Sequence, residues 1–174
     1  MKRVTTLKHL PEGVVYSQLE TPVGVLFLFA STQGLHAIFW DVAQRVDDFD
    51  RSLTRFAHGP QHPVIQQASE QLTQYFAGQR TTFDVPLVIH GTPFQQQTWQ
   101  ALQAIPFGET RSYGQQAAAI GNKNKARAVG MANNANPIPI IIPCHRVVGA
   151  NGKLVGFGGG LDKKAFLLAL EGAV

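Results

Sequence analysis

The chain has 174 residues, 44% of them hydrophobic, and carries a formal net charge of +4. That suits one ordinary domain or two small ones with a proper core, and no apolar run approaches the roughly 20 residues of a membrane span. A single cysteine, Cys144, excludes an internal disulfide and a cysteine-rich zinc site and agrees with a reducing cytoplasm; two early basic residues with no apolar segment behind them predict no secretory signal.

Three short β-rich runs come first, "VVYSQLE", "GVLFLFA" and "GLHAIFW", separated by the turn-bearing "TPVG" and "STQG". They predict a three-stranded antiparallel meander. Val42, Val46, Phe49, Leu53 and Phe56 recur at three- and four-residue spacing, which predicts an amphipathic helix. A second helix is predicted from about Pro63 to Ala77, with Val64, Ile65, Ala68, Leu72, Tyr75 and Phe76 on its apolar side and Gly78 as its stop. "TTFDVPLVI" predicts a further strand or an extended linker. His9, His36, His58, His62 and His90 are scattered through this half and read as surface or packing residues, so no catalytic constellation emerges before residue 91.

The second half begins at "GTPFQQQTWQALQAIPFGE", where Thr92 is placed to cap a helix with Pro93 at its first position. Phe94, Trp99, Leu102 and Ile105 give its buried side, and Pro106 ends it. Ser112 and Gln115 fit a capping box for a helix running to Gly121. "KNKARAVGMANNA" predicts another, halted by Asn136-Pro137. Two short helices about a tight turn make a helix-turn-helix pattern. "RVVGANGKLVGF" predicts a hairpin turning at Asn151-Gly152, in the position of a wing. "LDKKAFLLALEG" is a final helix closed by Gly172.

Charge divides unevenly between these halves. Residues 1–90 carry two Lys and five Arg against eight acids, a net of −1; residues 91–174 carry five Lys and three Arg against three acids, a net of +5. The basic excess points to a polyanion for the C-terminal half, or simply to a solvated basic face. In "ARAVGMANNA" the side chains are mostly small, unlike a helix that reads base edges with long polar groups. Either they pack tightly on the core, or they let the helix press into a narrow groove with Arg127 as a wedge.

Cys144 stands in "IIIPCHRVV", directly before His145 and Arg146. A lone cysteine can be a small core hydrophobe, a metal ligand or a nucleophile. "PCHRVV", preceded by "SYGQQAA" and "ARAVG…ANP" and followed by "GFGGGLDKKAFLLALEG", resembles the methylated-DNA–protein-cysteine methyltransferases, the O6-alkylguanine-DNA alkyltransferases. The resemblance covers essentially all of residues 92–172 with several motifs in order; the first half is similar only in general layout.

That resemblance implies an α+β fold: a ribonuclease-H-like N-terminal domain over residues 1–90, with an antiparallel sheet plus helices, and a helical, winged helix-turn-helix-like DNA-binding domain over 91–174. Cys144 would accept the alkyl group, His145 would draw off its proton through a water, and Glu171 would orient His145. Asn136 would brace the turn beneath the active-site loop. Tyr113 would contact the extruded nucleotide and its phosphate, and Arg127 would fill the gap left in the base stack. Ala126, Gly130, Asn133 and Asn134 would lie on the DNA-facing surface. Pro139, Val147 and Val148, with the stretch Val155, Gly156, Phe157, Gly158 and Gly159, would line the substrate pocket. Phe157 stands where many members carry tyrosine and Gly158 where some carry serine, departures that bear on substrate range more than on reaction type.

The chemistry is consistent with that assignment. A free thiol has a pKa near ~8.5, so a base is needed to raise the thiolate fraction at neutral pH. The target atom lies inside a duplex, so the nucleotide must be extruded at a cost of a few kcal/mol. The product thioether is a poor leaving group, which implies one irreversible turnover with no cofactor; members that bind structural zinc use cysteines of the N-terminal domain, and with none there no metal is expected. The implied partner is double-stranded DNA carrying O6-alkylguanine, with O4-alkylthymine a further candidate, bound through the minor groove by a cytoplasmic monomer that needs no membrane. Three rivals remain at this point: a non-catalytic damage binder, which would lack the cysteine; a DNA-binding regulator with a structural cysteine; and a cysteine hydrolase, which would need an oxyanion hole and turnover.

Overall fold

The computed structural model describes residues 7–40 and 47–173, the side chains of Asp47 and Asp48 excepted. Val42 and Val46 of the first predicted helix lie outside the described residues. The chain divides into two compact units, Met1–Ile89 and His90–Val174.

In the first unit β1 (Val15–Thr21), β2 (Gly24–Ser31) and β3 (Gly34–Trp40) form the antiparallel meander. A two-residue strand, β4 (Ala57–His58), adds in parallel to β1 and gives the order β3-β2-β1-β4. Every residue of β3 is buried, His36 included, so the strand does not alternate between core and solvent. Phe27, Phe29, Phe39, Phe49 and Phe56 meet in one core cluster, several of them edge to face. Helix α1 (Asp47–Leu53) supplies Phe49 and Leu53 to that cluster. Helix α2 (Pro63–Phe76) opens on His62, whose Nδ1 accepts from the Val64 amide, so one scattered histidine is a helix cap. Of "TTFDVPLVI", only Leu87 makes a bridge, in parallel with Leu35. Gly34 is required there: a Cβ would fall 2.5 Å from the Pro86 carbonyl oxygen.

The second unit is helical. Helix α3 (Pro93–Gln103) starts on a reciprocal Thr92–Gln95 capping box, and α4 (Tyr113–Ala119) on the Ser112–Gln115 box. After a 3-10 turn, Lys123–Lys125, comes α5 (Ala126–Asn134), which completes the pair of short helices. Two buried contacts lock α5 in rotation. The Trp99 indole donates to the Ala132 carbonyl at 2.8 Å, and Gln116 and Asn133 exchange amide hydrogen bonds at 2.9 and 2.8 Å. Helix α6 (Leu161–Leu170) ends on Glu171, with Gly172 in the left-handed region at φ 71°.

The predicted wing does not form as a hairpin. β6 (Val147–Val148) pairs in parallel with β5 (Arg111–Ser112), and the chain does turn at Asn151-Gly152. No strand returns from that turn among the described residues. The Lys164 ammonium takes the carbonyls of both Val147 and Val155, at 2.5 and 2.8 Å, and Gly156 has φ 57°. Lysine, rather than a β-ladder, joins the two arms.

Candidate active site around Cys144

The segment 136–143 presents Cys144. Asn136 brackets it, its Nδ2 donating to the Ile142 carbonyl at 2.7 Å while its Oδ1 accepts from the Ile138 amide at 3.0 Å. The Ile142 amide returns to the Ile138 carbonyl at 2.9 Å. Ile140 sits within this loop at φ 73°, a conformation rare for a β-branched residue, with its side chain buried. Cys144 follows Pro143, is partly buried, and opens the 3-10 turn Cys144–Arg146.

The next two side chains converge on one carboxylate. His145 Nε2 lies 2.7 Å from Glu171 Oε2; Arg146 Nε donates to Glu171 Oε1 at 2.8 Å and Nη2 to Oε2 at 3.1 Å. Arg146 Nη1 also donates to the Ile105 carbonyl at 2.7 Å, and the Gly108 amide approaches Oε1 at 3.5 Å. All three side chains are buried. A carboxylate gripped on two edges by a guanidinium is ionised and can only accept from His145. The Nε2 position therefore carries the proton, which leaves the lone pair on Nδ1. That Nδ1 is buried with no partner among the described residues. Burial holds the His145 pKa below its ordinary value; Glu171 opposes this, and Arg146 and Lys164 add to it. The imidazole is thus a neutral base near pH 7, with its basic nitrogen free.

Two further groups feel the charge of the sulfur. Burial pushes the Lys164 pKa down to about 8, while the Cys144 charge pulls it back up. Tyr113, half-buried, donates its hydroxyl to the Val155 carbonyl at 3.1 Å, and burial together with the Cys144 charge holds its phenol above the ordinary value. The Cys144 sulfur is therefore within electrostatic reach of an ammonium and a phenol. Among the described residues, no three His, Cys, Asp or Glu side chains are grouped to hold a metal ion.

Residues 93–173 match the family described as 6-O-methylguanine DNA methyltransferase, DNA binding domain, and residues 14–89 match that family's ribonuclease-like domain. The chain belongs to the 6-O-methylguanine DNA methyltransferase family. It is 46% identical to the methylated-DNA–protein-cysteine methyltransferase of Methanosarcina acetivorans, over 91% of this chain and 98% of that one. It is 44% identical to the constitutive one of Bacillus subtilis, over 90% and 94% respectively. The crystal structure of Mycobacterium tuberculosis OGT in complex with DNA matches with a TM-score of 0.80 at 45% identity, covering 92% of this chain and 94% of that one.

Helix α5 separates the residues expected to face DNA by their exposure. Arg127 and Asn134 point outward and are exposed, while Ala126 and Gly130 are partly covered. Gly130 packs beside the Tyr113 ring, where a Cβ would make an ordinary contact at 3.6 Å. Asn133 is the correction. It was expected on the DNA-facing surface, but it is only 5% exposed and its amide is committed to Gln116. The expected pocket residues split similarly: Pro139, Val147, Val148 and Gly159 are buried, Phe157 is half-buried, and Val155, Gly156 and Gly158 are exposed.

Sequence reasoning did not single out Lys164 or Arg146. Arg146 stood beside His145 in "PCHRVV" without an assigned partner. Lys164 looked like its neighbour Lys163, but helical phase could have separated them. Positions 164, 167, 168 and 171 share the face that buries Leu167 and Leu168, so a lysine there has to find acceptors inside.

Proposed function

We propose that this chain repairs alkylated DNA directly, transferring an alkyl group from O6 of guanine in double-stranded DNA to the sulfur of Cys144, once per protein molecule. The observation that carries the reading is the buried Arg146–Glu171–His145 arrangement, which fixes a neutral imidazole, its Nδ1 without a partner among the described residues, on the residue that follows the chain's single cysteine. A regulator with a structural cysteine has no use for that array.

The step balances without a cofactor. His145, acting through a water, takes the thiol proton, and Lys164 offsets the negative charge that develops on sulfur. Sulfur attacks the alkyl carbon, the carbon–oxygen bond breaks, and its electron pair stays with the guanine. The guanine then needs one proton, which is the one the thiol gave up. The thioether does not leave at neutral pH, and the chain has no second thiol to accept the group. Consumption of the protein follows, and neither a metal nor a methyl-donor cofactor has a part.

The DNA side of the reading rests on the +5 balance of residues 91–174 and on α5, a helix of mostly small side chains with Arg127 exposed on its outer face. That helix lies in the minor groove, the target nucleotide is extruded past Tyr113, and Arg127 occupies the vacated stack. Catalysis and DNA binding belong to residues 91–174, with residues 1–90 the accompanying ribonuclease-H-like domain. The protein acts as a monomer, and its dependence on a reduced thiol suits the cytoplasm.

Mass spectrometry of the intact protein and its peptides, after incubation with an oligonucleotide bearing one O6-methylguanine, tests this. The expected result is one methyl per protein, on Cys144, with guanine restored in the DNA; Cys144→Ala binds the DNA and transfers nothing. An unmodified thiol in reduced, DNA-bound protein overturns the reading in favour of a damage-binding module.

A further inference from the structure

Helix α5 is built from small side chains with two long exceptions, Arg127 and Met131. Met131 is 65% exposed, the most exposed large hydrophobic among the described residues. A lone apolar side chain on a surface needs no explanation. The position of this one does. At 100° per residue, Arg127, Met131 and Asn134 fall within about a 60° arc, the outward stripe of the helix. The inward face is fixed by Val129, Ala132 and Asn133, all buried, and by the Trp99 and Gln116 hydrogen bonds. Met131 thus has one direction available, the one shared with Arg127.

Dimensions support a joint role. Four residues of helix rise by about 6 Å, and base pairs in a duplex are spaced about 3.4 Å apart. A groove about 6 Å wide and 7.5 Å deep admits a helix only where its side chains are small, with single long groups reaching the floor. With Arg127 at the vacated position, Met131 reaches a base step one or two pairs away. An unbranched, polarisable thioether suits contact with the edge and face of bases, and apolar wedges of this kind open base steps in the minor groove. The cationic surroundings, Lys123, Lys125 and Arg127, complement a polyanion.

Building on the function proposed above, we infer that Met131 is a second, apolar wedge: it enters the minor groove beside Arg127 and props open the base step next to the extruded nucleotide. It is a positioning residue for extrusion and does not touch the reacting atoms. Its effect belongs to duplex substrates alone, and because it meets no phosphate it leaves the salt dependence of DNA binding as it was.

The test compares wild type, Met131→Ala and Met131→Leu in single-turnover methyl transfer from an O6-methylguanine duplex and from the free nucleobase. Both substitutions suit an exposed helical site. For Met131→Ala, the ratio of the duplex rate to the nucleobase rate falls roughly tenfold, which corresponds to losing about 1.4 kcal/mol of the extrusion energy. Met131→Leu restores most of the ratio, and the slope of log affinity against log salt stays at the wild-type value. An unchanged ratio for Met131→Ala overturns the inference, as does an equal loss on both substrates, which marks a structural role. A wild-type protein that moves no methyl from either substrate overturns the proposed function itself, so the two failures are distinguishable.

Discussion

Glu171→Gln removes one charge and exchanges one acceptor for a donor, at the point where three buried groups meet. In the native protein Oε2 accepts from His145 Nε2 and Arg146 Nη2, and Oε1 accepts from Arg146 Nε. A glutamine has one carbonyl oxygen for these two sites. With its oxygen toward Arg146 Nε, the amide NH2 faces His145 and forces the imidazole proton onto Nδ1, destroying the base. With the oxygen toward His145, the NH2 opposes the Arg146 Nε–H. Either way the buried guanidinium loses its counter-charge, a change that costs about 3–5 kcal/mol. Melting followed by circular dichroism should therefore drop by on the order of 10 °C or more. Single-turnover methyl transfer, measured where the variant is still fully folded, should fall about 10²- to 10⁴-fold, the range for loss of a positioned general base. A variant that melts early yet transfers methyl at the wild-type rate would refute the reasoning, because Glu171 would then hold the fold alone and His145 would not be the base.

In the proposed transfer His145 acts as a base in its neutral form, and burial keeps its pKa below the ordinary value near 6.5. The acid limb of the transfer rate should accordingly lie below pH 6.5; a limb centred above that value contradicts the assignment. The sign for stability follows from the same shift. The unfolded chain takes up the proton first as pH falls through 6.5, so this residue's contribution to stability declines in that window. Lys164→Met strips the Val147 carbonyl of its donor and leaves Val155 only the Tyr113 hydroxyl. It should cost roughly 1–3 kcal/mol by denaturant titration, and should slow iodoacetamide capture of Cys144 by removing a positive charge within electrostatic reach of the sulfur. Asn136→Ala leaves the buried Ile138 amide without that partner, at roughly 1–3 kcal/mol, and leaves the Ile142 carbonyl only the Cys144 amide. Its denaturation midpoint should fall further than that of Asn134→Ala, an exposed neighbour.

What the sequence made legible was local chemistry. Thr92 and Ser112 announce helix starts because their hydroxyls satisfy amides three residues on, a relation contained in four consecutive letters. Gly78 and Gly172 announce stops for a similar reason. What stayed hidden depends on a partner from elsewhere in the chain. Asn133 and Asn134 are the same letter twice, and only Gln116, 17 positions earlier, decides which one turns inward. "RVVGANGKLVGF" has the letters of a hairpin, yet its carbonyls are taken by a lysine from the last helix. β4 is two residues long and carries no period; it pairs because β1 has an open edge.

Helix α6 supplies the connection that both fold and chemistry use. Lys164 and Glu171 stand seven residues apart, two turns along one face. Lys164 ties the strand after the thiol to the loop at Val155, and Glu171 ties the thiol's own turn, through Arg146, to Ile105. These ionic contacts lie in the interior, where a charge is tolerated only if its partners hold still. The same constraint is what a base needs in order to keep one tautomer and one direction. A charge-neutral replacement of the whole Arg146–Glu171 pair by apolar residues could therefore recover stability without recovering transfer. The fold needs only a filled interior there, whereas the proposed transfer needs the proton fixed on Nε2.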